Sequence, residues 1–228
     1  TYRIAKNVVP SHIKKGFHPT GCTAVFGAAA AAGKLLGLTS AQLTHAFGLA
    51  GLKSAGIMEI VTSGQSGKGL LPGHAAHEGI FCALLAQAGV EGPLHILEGK
   101  NGFLHTMAED VDPSTLVEGL GQSYEILDSY TKLYPTCRHM HQPAENIMAL
   151  RETYGLDYHK VRSIVCRVSK VAYTLSGQIF QPKNTNEARF SMACAVALAV
   201  KYGDINLTLL EKAITNEDIH SLEHKVIV

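Results

Sequence analysis

Between Thr23 and Leu36 nine of the fourteen residues are Ala, Gly or Thr, with an unbroken run from Ala28 to Ala32 set between Gly27 and Gly33. Alanine is the strongest helix former and carries almost no side-chain bulk. The segment therefore reads as a helix whose neighbours can approach unusually closely. It follows Gly16-Phe17-His18-Pro19-Thr20-Gly21. A residue before proline is pushed away from helical geometry, which sets His18 just outside the helix. The unpaired N–H groups of a helix start attract anions, so an imidazole at this place points to chemistry on a carboxylate.

Composition narrows the classes further. The 228 residues are 46% hydrophobic and 17% charged, with a formal charge of +1, a soluble globular profile. Near-neutral charge with no basic block gives no electrostatic case for nucleic acid. The most apolar run, Ala24 to Leu38, carries Lys34 and is too short to span a membrane. Cys22, Cys82, Cys137, Cys166 and Cys194 are odd in number and scattered, which implies a reducing compartment and no disulfide framework. A cytoplasmic location is expected, or a mitochondrial one in a eukaryote. The chain begins at Thr1 without methionine and ends on the strand-like Lys225-Val226-Ile227-Val228, with nothing after it to pair with. Both ends read as cuts through a longer polypeptide.

The first part reads as helical. Thr39-Ser40-Ala41-Gln42 has the form of a capping box and opens a second helix with Leu43, Ala46, Phe47, Ala50 and Gly51 on one face. Glycines 64, 67 and 69 make a loop closed by Pro72. A third helix follows over 73–89, with Ala76, Ile80, Ala83, Leu84 and Ala88 inward, then short helices near Leu94 and over 114–119. Beyond residue 123 the texture changes. Residues 142–154 read as a helix and Val161 to Val168 as a strand, which Tyr173-Thr174-Leu175 extends or pairs beside. An apolar helix runs from Glu187 to Tyr202 and stops at Gly203, and shorter helices cover 208–214 and 216–223. The expectation is a mainly α chain, an all-α part followed by an α+β part, with the boundary near 120–130.

Three clusters carry candidate chemistry. His18, taken alone, is as well explained as a turn histidine capping a carbonyl. Ser63-Gly64-Gln65-Ser66-Gly67-Lys68-Gly69 fails as a phosphate loop, because Thr62 stands where its first glycine belongs and Gly69 follows the lysine. It remains a loop that presents Lys68 among open N–H groups, a carboxylate cradle, although a solvent loop with a solubilising lysine is the plainer reading. Lys132 to His141 packs cations, a thiol and imidazoles into ten residues. Cys137, His139 and His141, with His74 and His77 as remote partners, lack the second knuckle of a structural zinc site. Lys132 and Arg138 are instead read as clamps on carboxylates while a histidine moves protons. Arg189, in the first turn of an apolar helix, could reach an anion or pair with Glu187 or Asp204. His77, His95, His105 and Cys194 are assigned to structure.

These segments together resemble the MmgE/PrpD family, whose members include 2-methylcitrate dehydratase and cis-aconitate decarboxylase. The carriers are the stretch from Gly16 to Gly21, Lys68 with Leu71-Pro72-Gly73-His74-Ala75-Ala76-His77-Glu78-Gly79, Gly102-Phe103-Leu104, the stretch from Lys132 through Cys137 to His141, and Asn186-Glu187-Ala188-Arg189-Phe190-Ser191. The resemblance implies a helical domain, here residues 1–125, and an α+β lid, here residues 126–228 and cut at its C-terminal end, with the active site in the cleft between them. It implies a homodimer and chemistry without metal or cofactor on small di- or tricarboxylic acids. Carried across, His18, Lys68 and Lys132 fall on active-site positions, and Tyr173 less securely; Arg138, His141 and Arg189 are the expected substrate-binding residues. Two departures stand out. Cis-aconitate decarboxylases carry histidine where this chain has Cys137, and the family's N-terminal segment with its Asp- and His-containing motif is absent.

The expected reaction is elimination of water from a 2-hydroxy tricarboxylate, a hydro-lyase step of propionate metabolism. Proton removal beside a carboxylate builds negative charge, which cations already in place must meet; Lys68 and Lys132 would supply them, and His18 would move the proton. Epimerisation, decarboxylation and an inactive remnant are the rivals.

Overall fold

The structure is a computed structural model that describes residues 1–63 and 65–228, and the side chains of all of these except Thr62. Gly64 of the expected glycine loop lies outside the described residues. The chain is mainly α and divides into two compact units, residues 1–60 with 67–129, and residues 61–66 with 130–228.

In the first unit α1 (Tyr2–Val8) and α2 (Ser11–Lys14) lead into α3 (Pro19–Leu35) and α4 (Ser40–Leu52). After α5 (Glu59–Thr62) and a 3-10 turn (Ser66–Gly69) come α6 (Leu70–Gln87) and α7 (Phe103–Met107). The alanine-rich helix starts at Pro19 rather than Thr23, because proline is well suited to the first helical position. The capping box before α4 is present, with Thr39 accepting from the Gln42 N–H and the Gln42 side chain accepting from Thr39. Phe26, fully buried, meets Phe47 at 6.2 Å and Phe103 edge-on at 5.1 Å.

Small residues decide how α6 faces α3. Ala75, Gly79, Cys82, Ala83 and Ala86 are its buried positions, whereas the expected inward residues Ala76, Ile80, Leu84 and Ala88 are exposed. A Cβ at Gly79 would lie 2.6 Å from the Val25 carbonyl oxygen and 2.7 Å from the Ala29 nitrogen. Bulky Ile80 and Leu84 cannot enter so narrow a gap, so the small face turns in. The segment near Leu94 forms turns rather than a helix, and the one after Asp112 is a single 3-10 turn, Pro113–Leu116.

The second unit is built round α11 (Met192–Tyr202), in which Met192 to Val200 are all buried. A helix apolar on every side belongs in a core. Against it pack α8 (His141–Tyr154), α12 (Leu207–Ala213) and α13 (Glu217–Glu223), with α9 (Lys170–Ser176) and α10 (Thr185–Ala188) completing the unit. Four sequence expectations need correction. The strand over Val161 to Val168 shrinks to β1 (Ile164–Val165). It pairs in parallel with β2 (Val226–Ile227), so the strand-like C-terminal residues do have a partner. Tyr173-Thr174-Leu175 is helical, because Ser169 caps the Ala172 N–H and Ala172 and Ser176 bury one face. The helix expected over Glu187 to Tyr202 breaks at Arg189, where the Ser191 hydroxyl starts α11 by capping Cys194. Gly203, in the left-handed region at φ 68°, ends α11 as expected. No single helix among the described residues is long and apolar enough to cross a membrane.

Glu223 is fully buried in this unit, where its Oε2 accepts the Gln181 N–H at 2.6 Å and Oε1 has no partner. Burial raises its pKa. A carboxyl raised in the fold stabilises fully below its unfolded value of about 4.3, and that contribution is lost as pH climbs through the folded value. Glu223→Gln keeps a carbonyl for Gln181 and cannot ionise. Its urea midpoint relative to wild type is expected to improve steadily from pH 4 to pH 8; a difference independent of pH would contradict this account.

Candidate functional site

In the first unit the site begins with the end of α2. The Phe17 N–H bonds the His12 carbonyl at 2.9 Å and the Gly16 N–H bonds Ile13 at 3.0 Å. This pair of bonds, five and three residues back, is a Schellman stop, and Gly16 takes the left-handed position at φ 89°. The chain then crosses a turn at residues 55–58. Met58 donates to the Gly16 carbonyl at 2.8 Å and His18 to the Gly56 carbonyl at 3.0 Å. Gly21 and Gly56 make this close approach possible, since a Cβ on Gly56 would stand 3.1 Å from the Gly21 Cα.

His18 is therefore the N-cap of α3, extended at φ −86° and ψ 123° as its place before Pro19 requires. Its Nδ1 accepts from the Gly21 N–H at 3.5 Å. It caps a donor, not the carbonyl expected of a plain turn histidine. With Nδ1 used as acceptor, the neutral ring carries its hydrogen on Nε2. His18 is 9% exposed, and its pKa is lowered first by burial, then by the Lys68 ammonium, then by His12. Lys68 is half-buried in the 3-10 turn and not on an open loop. The structure thus brings His18 and Lys68 within electrostatic reach of each other. A recess of about 560 Å³ opens between Ala55-Gly56 and the start of α6, lined also by Leu71, His74 and His77.

In the second unit the Thr136 carbonyl is the anchor. The Lys132 ammonium donates to it at 3.0 Å, and the ring of His141 hydrogen-bonds to the same backbone. His141 is buried, with its ring edge-on to Tyr134 at 5.1 Å. Burial lowers its pKa most, followed by the Arg138 guanidinium, while Lys132 lowers it further. Arg138 lies over the Tyr130 ring at 5.1 Å. The Cys137 N–H bonds the Arg189 carbonyl at 2.8 Å, which ties Arg189 to the same cluster. His141 Nε2, the Thr136 hydroxyl and Arg189 Nε are all buried without partners. Buried polar atoms are rarely left so, and all but the hydroxyl belong to groups that favour anions. A cavity of about 930 Å³ is lined by Lys132, Tyr134, Asp204 and Asn206, among others. Tyr173 stands on α9, 45% exposed. Of the alternatives open to Arg189, the ion pair with Glu187 is not seen among the described residues; Glu187 accepts from the Lys183 N–H and Asn184.

Among the described residues no three His, Cys, Asp or Glu side chains are placed to hold a metal ion. Cys137, His139 and His141 are therefore not a ligand set in this geometry. Sequence reasoning missed His12 and Thr136. Gly16 as a helix stop was the available signal for His12; nothing in the residues marks Thr136, whose part is played by its carbonyl.

Family models match both parts of the chain, the MmgE/PrpD N-terminal domain over residues 1–116 and the MmgE/PrpD C-terminal domain over residues 134–228. The chain belongs to the MmgE/PrpD family. Among its relatives is a cis-aconitate decarboxylase of Aspergillus terreus, 31% identical over 89% of this chain and 44% of the relative. The cis-aconitate decarboxylase of Homo sapiens is 32% identical over 81% of this chain and 39% of its own length. That of Mus musculus is 30% identical over 92% of this chain and 41% of the relative. The chain spans less than half the length of these curated MmgE/PrpD relatives.

Proposed function

We propose that this chain belongs to a lyase acting on a small tricarboxylic acid, with loss of CO2 beside a carbon–carbon double bond as its reaction. The observation that carries the reading is His18, fixed at the start of α3 with Lys68 close enough to depress its pKa. In such a step the bond to the departing carboxylate breaks and its electron pair stays on the substrate, spread over the double bond. A proton must then be delivered to carbon. A substrate carboxylate beside His18 would favour the charged ring. Nδ1 then takes a proton in place of the long 3.5 Å contact from the Gly21 N–H, and the imidazolium would release its Nε2 proton to carbon. Lys68 would hold a further carboxylate, where preset positive charge is worth most. Within the second unit, Lys132, Arg138, His141 and Arg189 are proposed as carboxylate-binding residues and Tyr173 as a catalytic one, and the protein is proposed to work as a homodimer.

The names of the relatives favour decarboxylation over the dehydration expected from sequence. Dehydration remains as a second reading because Cys137 replaces the histidine that the resemblance associates with decarboxylases. The same ring would serve, with neutral His18 taking the proton from the carbon beside the carboxylate and returning it to the departing hydroxyl, so that the C–H electron pair forms the double bond and water leaves. Supplying cis-aconitate and 2-methylcitrate in separate assays tests both. The first reading predicts CO2 release from cis-aconitate. Alkene formation from 2-methylcitrate without CO2 release would replace it with the second, and inertness toward both would overturn the lyase proposal.

A further inference from the structure

Among the described residues Gln181 is the one residue other than glycine in the left-handed region, at φ 50°. Such strain persists only where the surroundings impose it. The Gln181 N–H donates to Glu223 Oε2 at 2.6 Å, and its side-chain amide donates to His224 Nε2 at 2.9 Å. Two residues earlier the Ser191 hydroxyl donates to the Ile179 carbonyl at 2.7 Å. Two residues later the Lys183 N–H donates to Glu187 Oε2 at 2.7 Å. Residues 177–184 are therefore a strap between α9 and α10, fastened along its length.

The middle fastening is an unusual choice of group. Glu223 is fully buried, and its second oxygen has no partner. Facing it are the Cys194 thiol from α11 and the imidazoles of His220 and His224 from the end of α13. A glutamine would accept the same N–H without any charge to bury. What the carboxyl adds is a proton that can leave.

Both ends of the strap reach residues of the second-unit site. At its start the Gly177 N–H donates to the Tyr173 carbonyl at 2.8 Å. At its far end α10 runs into Arg189, whose carbonyl accepts the Cys137 N–H at 2.8 Å. Ser191, which fastens Ile179, follows two residues later and caps α11.

We propose that Glu223 is a positioning residue for Arg189, a latch that holds the strap while protonated and loosens it when the proton is lost. The neutral acid holds the Gln181 N–H at no cost in buried charge. The carboxylate is drawn toward water, and the left-handed turn at Gln181 relaxes with it. Burial raises the Glu223 pKa, so the closed strap is favoured fully below the unfolded value of about 4.3 and less as pH climbs through the folded value. The inference rests on the reading of Arg189 as a carboxylate-binding residue, but its test needs no substrate.

Amide hydrogen exchange and chemical shifts of the 15N-labelled 228-residue chain, followed by NMR from pH 4 to pH 8, supply that test. Gln181 is expected to lose protection as pH rises, beyond the intrinsic acceleration of exchange by base. Each unit between the unfolded and folded values favours opening by up to about tenfold. The Cys137 amide, bonded to Arg189, is expected to shift with the same midpoint. In Glu223→Gln both responses are expected to vanish while the Gln181 N–H stays protected. Protection of Gln181 that is independent of pH in wild type overturns the proposal, and so does an unchanged response in Glu223→Gln. If Glu223→Gln does not fold, the wild-type curves decide, and a Cys137 amide that stays still while Gln181 opens overturns the positioning of Arg189. A working latch combined with wild-type binding of cis-aconitate by Arg189→Gln would leave the latch standing and remove only the reading of Arg189.

Discussion

His18→Asn lowers kcat by about 10²-fold or more while leaving the first unit folded. The two halves of this expectation come from the two ring nitrogens. The Nδ1 lone pair caps α3 through the Gly21 N–H, and the asparagine oxygen occupies nearly the same place. Asparagine is among the best N-cap residues, so the helix start and its hold on Gly56 persist. Nε2 has no counterpart in asparagine, and proton transfer by a placed side chain is worth roughly 10²–10⁴-fold. The measurement is kcat for the carboxylic acid turned over, with the thermal midpoint recorded beside it. Wild-type kcat in a folded variant would take His18 out of the chemistry.

Gly79→Val carries the largest expected stability effect. The α3–α6 contact is a meeting of backbones, where the missing Cβ of Gly79 would press on Ala28, Val25 and Ala29. The atoms in the way are mostly main chain, which no rotamer change can clear. Overpacking typically costs about 1–3 kcal/mol, and the valine methyls crowd a rigid wall, so a loss of ~3 kcal/mol is expected in urea unfolding of the first unit. The contrast is Gly73 on the same helix, exposed and with nothing within 4 Å of its Cβ position. There alanine improves helix propensity by up to ~1 kcal/mol. If Gly79→Val and Gly73→Ala moved stability alike, close packing would not be what joins these helices. Because α3 carries His18 at its first turn, the packing fault is expected to reach the site as well.

Local chemistry made part of this architecture readable in the residues. Thr39 with Gln42, Gly203 after an apolar run, and His18 before Pro19 each act on their own neighbours, and each does in the structure what its chemistry requires. The misreadings arose where a distant surface chose between two acceptable local answers. For α6, apolar on more than one side, the sequence pattern favoured Ile80 and Leu84, but the alanine face of α3 admits only small partners. The Tyr173-Thr174-Leu175 segment has strand-like residues, yet the Ser169 cap and the burial of Ala172 and Ser176 commit it to helix. β1 and β2 lie more than sixty residues apart in the chain, and no local signal announces such a pairing.

The site was legible as residue types and illegible as geometry. His18, Lys68, Lys132 and Arg138 stood out because cations and imidazoles suit carboxylates. The Thr136 carbonyl under Lys132 and the buried ring of His12 did not, since a backbone oxygen and an orphaned nitrogen leave no mark in a sequence.

Calorimetric titration of cis-aconitate into wild type and Lys68→Met tests most directly whether the charge beside His18 is there to receive a polycarboxylate. The account predicts saturable binding by wild type and at least tenfold weaker binding by Lys68→Met, as loss of a charged hydrogen-bond partner of about 1.5–3 kcal/mol implies. Equal affinity in the two proteins would contradict it.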